Sequence, residues 1–103
     1  MAEPMRVRAT LSGDVVEVKI LMKHEMTSRL KWDVSGRLIL PHFIQTLRGT
    51  CNGKPVLYAH FGGSVSKDPY FVFRFRGGKI GDNIVISWVD TEGDTRTDET
   101  AVV

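Results

Sequence analysis

Apolar and polar residues alternate with a period of two along most of this chain, the spacing of a strand with one buried face. Met5, Val7, Ala9 and Leu11 alternate with Arg6, Arg8 and Thr10, and the Gly13-Asp14 turn follows. Val16, Val18, Ile20 and Met22 alternate with Glu17, Lys19 and Leu21. A third strand is expected over Phe43 to Cys51, closed by Asn52-Gly53, the residue pair that favours a type I′ hairpin because both positions take positive φ. Val56 to Phe61 is the return strand. Tyr70 to Arg76 is the next, with Phe71, Phe73 and Phe75 on one face. Gly77-Gly78 and Gly81-Asp82 break the chain. Ile84, Ile86 and Trp88 then alternate with Val85, Ser87 and Val89, a turn falls at Asp90 to Asp94, and Thr95 to Val103 forms a last strand.

About seven short strands at this spacing predict an all-β antiparallel sandwich. A sustained 3.6-residue period is not found. The irregular stretch Lys23 to His42 holds a turn at Asp33 to Gly36 and a short edge strand at Leu38 to Leu40, stopped by Pro41. At 103 residues the chain is one domain, 1–103.

Connections alternate between the two ends of such a sandwich. Gly13-Asp14, Asn52-Gly53 and Gly77 to Asp82 fall at one end as tight turns. Lys23 to His42, Gly62 to Pro69 and Asp90 to Asp94 fall at the other. Scaffolded loops are where binding residues concentrate, so the long-loop end is expected to be the working end.

Charge adds little. A formal charge of +2 with scattered Lys and Arg points to neither nucleic acid nor an anionic membrane. No apolar run has the ~20 residues needed to span a bilayer. The first residues show no h-region, twin arginine or cleavage site. The single cysteine excludes an internal disulfide framework.

Candidate chemistry is sparse. Cys51 closes an apolar strand on the expected face of Phe43 and Leu47, and a buried structural thiol is weighed there against a reactive one. His24, His42 and His60 lack close ligand spacing and a second cysteine, so no metal is expected. Asp90, Glu92 and Asp94 lack the glycine and glutamate positions of a calcium loop. Ser64 and Ser66 have no nucleophile-elbow pattern around them. Trp88 reads as core. Trp32, among charged residues, is open between an interface anchor and a cover over the core. The residues by themselves describe an interaction module.

Several stretches stand out in order: Met5 to Leu11; His24 with Met26; Gly36 with Leu38-Ile39; Pro41-His42-Phe43-Ile44; Asn52 to Leu57; Gly62 with Ser64-Val65-Ser66-Lys67-Asp68-Pro69-Tyr70; Gly81-Asp82; and Trp88-Val89-Asp90 followed by Gly93 and Arg96-Thr97-Asp98-Glu99. Together they resemble the SoxZ family. The chain departs from the family pattern at Glu25 and Thr27-Ser28. The resemblance implies an immunoglobulin-like sandwich. It implies a non-catalytic, cofactor-free subunit of a SoxYZ sulfur-compound carrier in thiosulfate oxidation. The heterodimer partner would be SoxY, which holds the substrate on a cysteine in a C-terminal arm, with transient contacts to SoxAX, SoxB and SoxCD. A periplasmic location would follow, reached by export with SoxY. The long-loop end nominates His24, Trp32, His42, Phe43, Ser66, Asp68 and Tyr70 as the docking surface; Val72, Val85, Val89 and Leu57 are expected to form an apolar outer patch. A generic immunoglobulin-like binding module, or a sulfur carrier using Cys51 itself, are the alternatives.

Overall fold

A computed structural model describes residues 2–27, 31–62 and 65–103. Seven principal strands form two antiparallel sheets: β1 (Arg6–Ser12), β2 (Val15–Leu21), β5 (Ile44–Cys51), β6 (Lys54–His60), β7 (Tyr70–Arg76), β8 (Asn83–Asp90) and β9 (Thr95–Ala101). A two-residue pair, β3 (Lys31–Trp32) with β4 (Leu38–Ile39), lies inside the irregular stretch. The sheets are ordered β1-β2-β7 and β6-β5-β8-β9, an immunoglobulin-like arrangement, with no helix among the described residues.

Alternation sets the core. Val16, Val18 and Ile20 of β2 pack with Met22 just beyond it, opposite Ile84, Ile86 and Trp88 of β8 and Leu47 of β5, all inaccessible or nearly so. Burial of each such side chain contributes about 1.5–3 kcal/mol before entropy is counted. Phe71, Phe73 and Phe75 turn to the same interior but stay half-buried. With Phe61 they form a ladder of rings 5.8–6.4 Å apart. Leu57 turns inward too, so it does not belong to the outer patch expected from alternation. It sits opposite Gly49, where an added Cβ would lie 3.1 Å from Ile86 Cδ1 and 3.3 Å from Leu57 Cβ. The opposite flank closes where Val102 lies beside Ala9 and Val103 bonds to β1, its N–H donating to the Ala9 carbonyl and its carbonyl accepting the Leu11 N–H.

The Asn52-Gly53 turn has the expected double positive φ, 51° and 83°. One local feature departs from simple alternation. In the β5–β8 ladder Ile44 faces Asp90 while Thr46 faces Val89, so Gln45 is an extra residue, a β-bulge. The bulge turns Ile44 and Leu47 both inward. Phe43 is left half-buried at the rim, and Cys51 shares its face with Leu47 and Gly49 instead.

Candidate functional site

The β8 alternation that buries Ile84, Ile86 and Trp88 also buries the next residue of the series, Asp90, at 2% exposure. A carboxylate there needs partners, because burial of an unpaired charge is strongly unfavourable. Both oxygens are supplied. Oδ1 accepts the backbone N–H groups of Glu92 and Asp94, each at 2.9 Å, which fixes the turn after β8. Oδ2 receives His24 Nε2 at 3.1 Å and His42 Nε2 at 2.7 Å. Burial pushes the Asp90 carboxyl up, but the two imidazoles and the two backbone N–H groups outweigh it and hold the group below the ordinary carboxylate range.

Three loops meet at this carboxylate. His24 stands just after β2; its N–H donates to Asp68 Oδ1 at 3.0 Å, and Asp68 N–H donates to the His24 carbonyl at 2.8 Å. Asp68 takes φ 51° to do so, an unusual backbone region for a residue with a side chain. His42 is locked by reciprocal backbone bonds with Thr27, 2.6 and 2.7 Å, and its Nδ1 lies 3.3 Å from Glu92 Oε2. The Thr91 N–H donates to the Phe43 carbonyl, and the Thr91 hydroxyl takes the Phe43 N–H. The His24 ring meets His42 and Trp88 edge-on at 4.6 and 5.2 Å. A cleft of about 390 Å³ opens beside the network, lined by His24, His42, Trp88 and Asp90 with Lys23 and Lys67 among its other walls.

The donor set of His24, His42 and Asp90 falls within 4.8 Å, close enough to raise a metal ion as a question. The hydrogen bonds answer against it. His24 Nδ1 accepts the Met26 N–H at 3.0 Å, so in the neutral ring Nε2 carries the proton and donates to Asp90. A metal-bound histidine needs a bare Nε2 and a protonated Nδ1 that donates to an acceptor. Here Nδ1 faces a second donor. His42, whose Nδ1 faces Glu92 Oε2, has the arrangement of a ligand, but His24 does not, so the three residues do not make a complete metal-binding set and fit a hydrogen-bonded clasp instead.

Four of the seven nominated docking residues are near this clasp: His24, His42, Phe43 and Asp68. Ser66 is exposed in the adjoining loop, of which Gly63 and Ser64 lie outside the described residues. Trp32 is 69% exposed on the β3–β4 hairpin, beside Val34, Leu38 and Leu40, which are also exposed. Tyr70 belongs to a different surface, a cleft of about 570 Å³ with Arg6, Arg8, Lys19 and Leu21. His60 stands apart against Tyr58. Cys51 is buried at the opposite end. Desolvation, then the hydrogen bond to Asp82 at 3.6 Å and that carboxylate's charge, push its thiol up, the reverse of what a nucleophile needs.

Asp90 is the residue that the reading of the sequence missed. Its signal was present: counted by twos from Ile84, it occupies a core position.

Fold and site together define an immunoglobulin-like sandwich protein whose buried polar centre fastens its long loops to each other. The chain belongs to the SoxZ family, described as sulphur oxidation protein SoxZ, which matches residues 5–101. In structure it is similar to the hypothetical protein PH1083 from Pyrococcus horikoshii OT3, with 18% identity, a TM-score of 0.65, and coverage of 99% of this chain and 89% of that one. It is also similar to a superoxide reductase (neelaredoxin) from Archaeoglobus fulgidus, with 22% identity, a TM-score of 0.54, and coverage of 95% and 84%. At those identities the two structures bear on the fold alone. No curated protein matches the chain in sequence.

Proposed function

We propose that this protein is the non-catalytic subunit of a SoxYZ-type carrier, pairing with SoxY, whose C-terminal cysteine arm holds the sulfur compound during thiosulfate oxidation in the periplasm. The family match over residues 5–101 carries the reading. The chemistry of the chain supports it. The one thiol is buried and pushed up, and the histidines of the clasp have their ring nitrogens committed to Asp90, Met26 and Glu92. Neither group is poised to attack a substrate or to bind one covalently, so the reacting cysteine belongs to the partner.

The outer face of the four-stranded sheet suits a lasting partner. Its central rows are Thr46-Val89-Thr95, Arg48-Ser87-Thr97 and Thr50-Val85-Glu99, with Tyr58 beside Arg48. Val89 and Tyr58 are exposed, and only Arg48 and Glu99 in those rows are charged. A flat face poor in charge favours a stable interface. The long-loop end, fastened by the clasp, would then offer its surface to SoxAX, SoxB and SoxCD as they act on the arm. Co-expression of this chain with SoxY and capture through a tag on either one tests the pairing. Stoichiometric co-purification is expected, and a chain that elutes alone at micromolar concentration contradicts it.

A further inference from the structure

The outward face of the three-stranded sheet is the strongly charged surface of the molecule. Register places Arg6, Leu21 and Tyr70 in one row, Arg8, Lys19 and Val72 in the next, Thr10, Glu17 and Arg74 in the third, and Ser12, Val15 and Arg76 in the last. These rows hold five cations and one carboxylate, Glu17. The whole chain carries only +2, so the rest of the molecule is net negative and the charge is concentrated on one side. The cations are scattered in sequence and become neighbours only when the strands pair.

They are not equivalent. Arg74 and Lys19 lie 2.6 and 3.6 Å from Glu17, and Arg76 lies 3.7 Å from Asp14. Arg6 and Arg8 are exposed and have no carboxylate partner among the described residues. Both line the 570 Å³ cleft, Arg6 beside half-buried Leu21 with the exposed Tyr70 beyond it; half-buried Val72 lies next to Tyr70 on β7, past Lys19. The far wall of that cleft is acidic, but Asp98 is already taken by Arg96 at 2.7 Å and by the Met5 N–H, and Glu99 accepts from Asn83 at 3.4 Å.

We propose that this face docks an acidic surface of another protein, with Arg6 and Arg8 receiving its carboxylates and Tyr70, Leu21 and Val72 receiving an apolar side chain between them. Arg and Tyr are the residue types that concentrate binding energy at protein interfaces. A phosphate polymer fits less well: its binding scales with the number of phosphates neutralised, and Glu17 stands in the middle of the face. A lipid surface would want apolar side chains protruding beyond the charged ones, and Leu21 and Val72 are recessed. The proposal does not depend on the SoxY reading, because the pairing surface assigned there is the other sheet.

The test is a titration of the full chain, followed by backbone amide NMR, with a Glu-rich peptide carrying one central Phe. Shifts centred on Arg6, Arg8, Lys19, Leu21, Tyr70 and Val72 are expected. Binding should weaken about tenfold or more in the Arg6→Glu/Arg8→Glu double variant, and also when salt is raised, while Arg48→Glu on the other sheet changes nothing. All three positions are exposed, so the variants keep the fold; retained SoxY capture by the double variant separates a failure here from a failure of the pairing. Shifts elsewhere, equal binding by the double variant, or loss of binding in Arg48→Glu overturn the proposal. So does indifference to the peptide with Arg6- and Arg8-dependent binding to phosphatidylglycerol vesicles, which assigns the face to a membrane.

Discussion

The backbone N–H of Met26 points at Nδ1 of His24 across 3.0 Å, and this one bond determines which ring nitrogen of His24 carries the proton. With Nδ1 accepting, Nε2 must donate, and Asp90 is its acceptor. The same bond removes His24 from the list of metal ligands. Cobalt(II) or zinc added to the purified protein at neutral pH is therefore expected to bind no more tightly to the native chain than to a His24→Ala/His42→Ala variant. Calorimetry and the cobalt absorption spectrum check this. A stoichiometric tetrahedral cobalt spectrum lost in the double variant would contradict it.

Asp90→Asn is expected to be the most damaging of the clasp substitutions. The amide places a donor where two imidazole N–H groups already converge, or else surrenders the backbone bonds that close the turn. Each buried hydrogen bond to a charged acceptor that is lost costs about 1.5–3 kcal/mol, and the substitution disturbs more than one. In a domain of this size that is a fall in melting temperature of more than ~10 °C. His24→Ala, whose side chain is 5% exposed, is expected to cost more than His42→Ala at 34%. Urea denaturation of the three variants gives the order.

Acid should act through the same carboxylate. The pKa of Asp90 is depressed in the folded protein, as is that of Asp98, held by Arg96 and the Met5 N–H. A depressed carboxylate stabilises the fold above its unfolded pKa of about 3.9 and loses that contribution as pH falls through the lower folded value. Stability is expected to fall steeply below about pH 4 and to be flat in this respect above about pH 5. The slope below pH 4 should be shallower in Asp90→Asn. Thermal melts across the range show whether it is; an equal slope in the variant places the acid sensitivity elsewhere.

Gly49 is a packing requirement. A Cβ there meets Ile86 and Leu57 inside ordinary contact distance, with Phe73 Cζ at 3.4 Å. Gly49→Val is expected to cost about 1–3 kcal/mol through overpacking. Gly53 is a requirement of backbone conformation instead: nothing lies within 4 Å of its absent Cβ, but its φ is 83°. Removing Ile86 Cδ1, the nearest atom at 3.1 Å, by Ile86→Val should partly rescue Gly49→Val and leave Gly53→Val unimproved, which a double-mutant comparison of denaturation midpoints tests.

The partner face makes a separate prediction. Val89→Glu places a charge among Thr46, Thr95 and Ser87 on the outer side of the four-stranded sheet. As an exposed change it should alter the stability of the chain by less than about 0.5 kcal/mol while reducing SoxY capture at least tenfold. Unchanged capture removes that face from the pairing.

Much of the architecture was legible in advance because the strands alternate so regularly: Val16 to Met22 and Ile84 to Trp88 could face only one way. The turns were legible from Asn52-Gly53 and the glycine pairs. The bulge at Gln45 was not, since one inserted residue leaves no compositional mark, and it moved Phe43 to the rim in favour of Ile44. Of the site, the gathering of His24, His42 and Asp68 at one end followed from counting connections. Asp90 escaped because an acidic turn residue was read locally, when its parity with Trp88 had already placed it inside. The basic face escaped for the opposite reason: Arg6, Lys19 and Arg74 are far apart in sequence, and only register makes them neighbours.

The central claim is that the reacting thiol is not on this chain. Intact-mass analysis of the two subunits after reconstitution with SoxY, thiosulfate and the oxidising enzymes tests it most directly. The account predicts a sulfur adduct on SoxY alone, in equal yield with Cys51→Ala in place of the native chain. An adduct on Cys51, or turnover by this polypeptide without its partner, would contradict it.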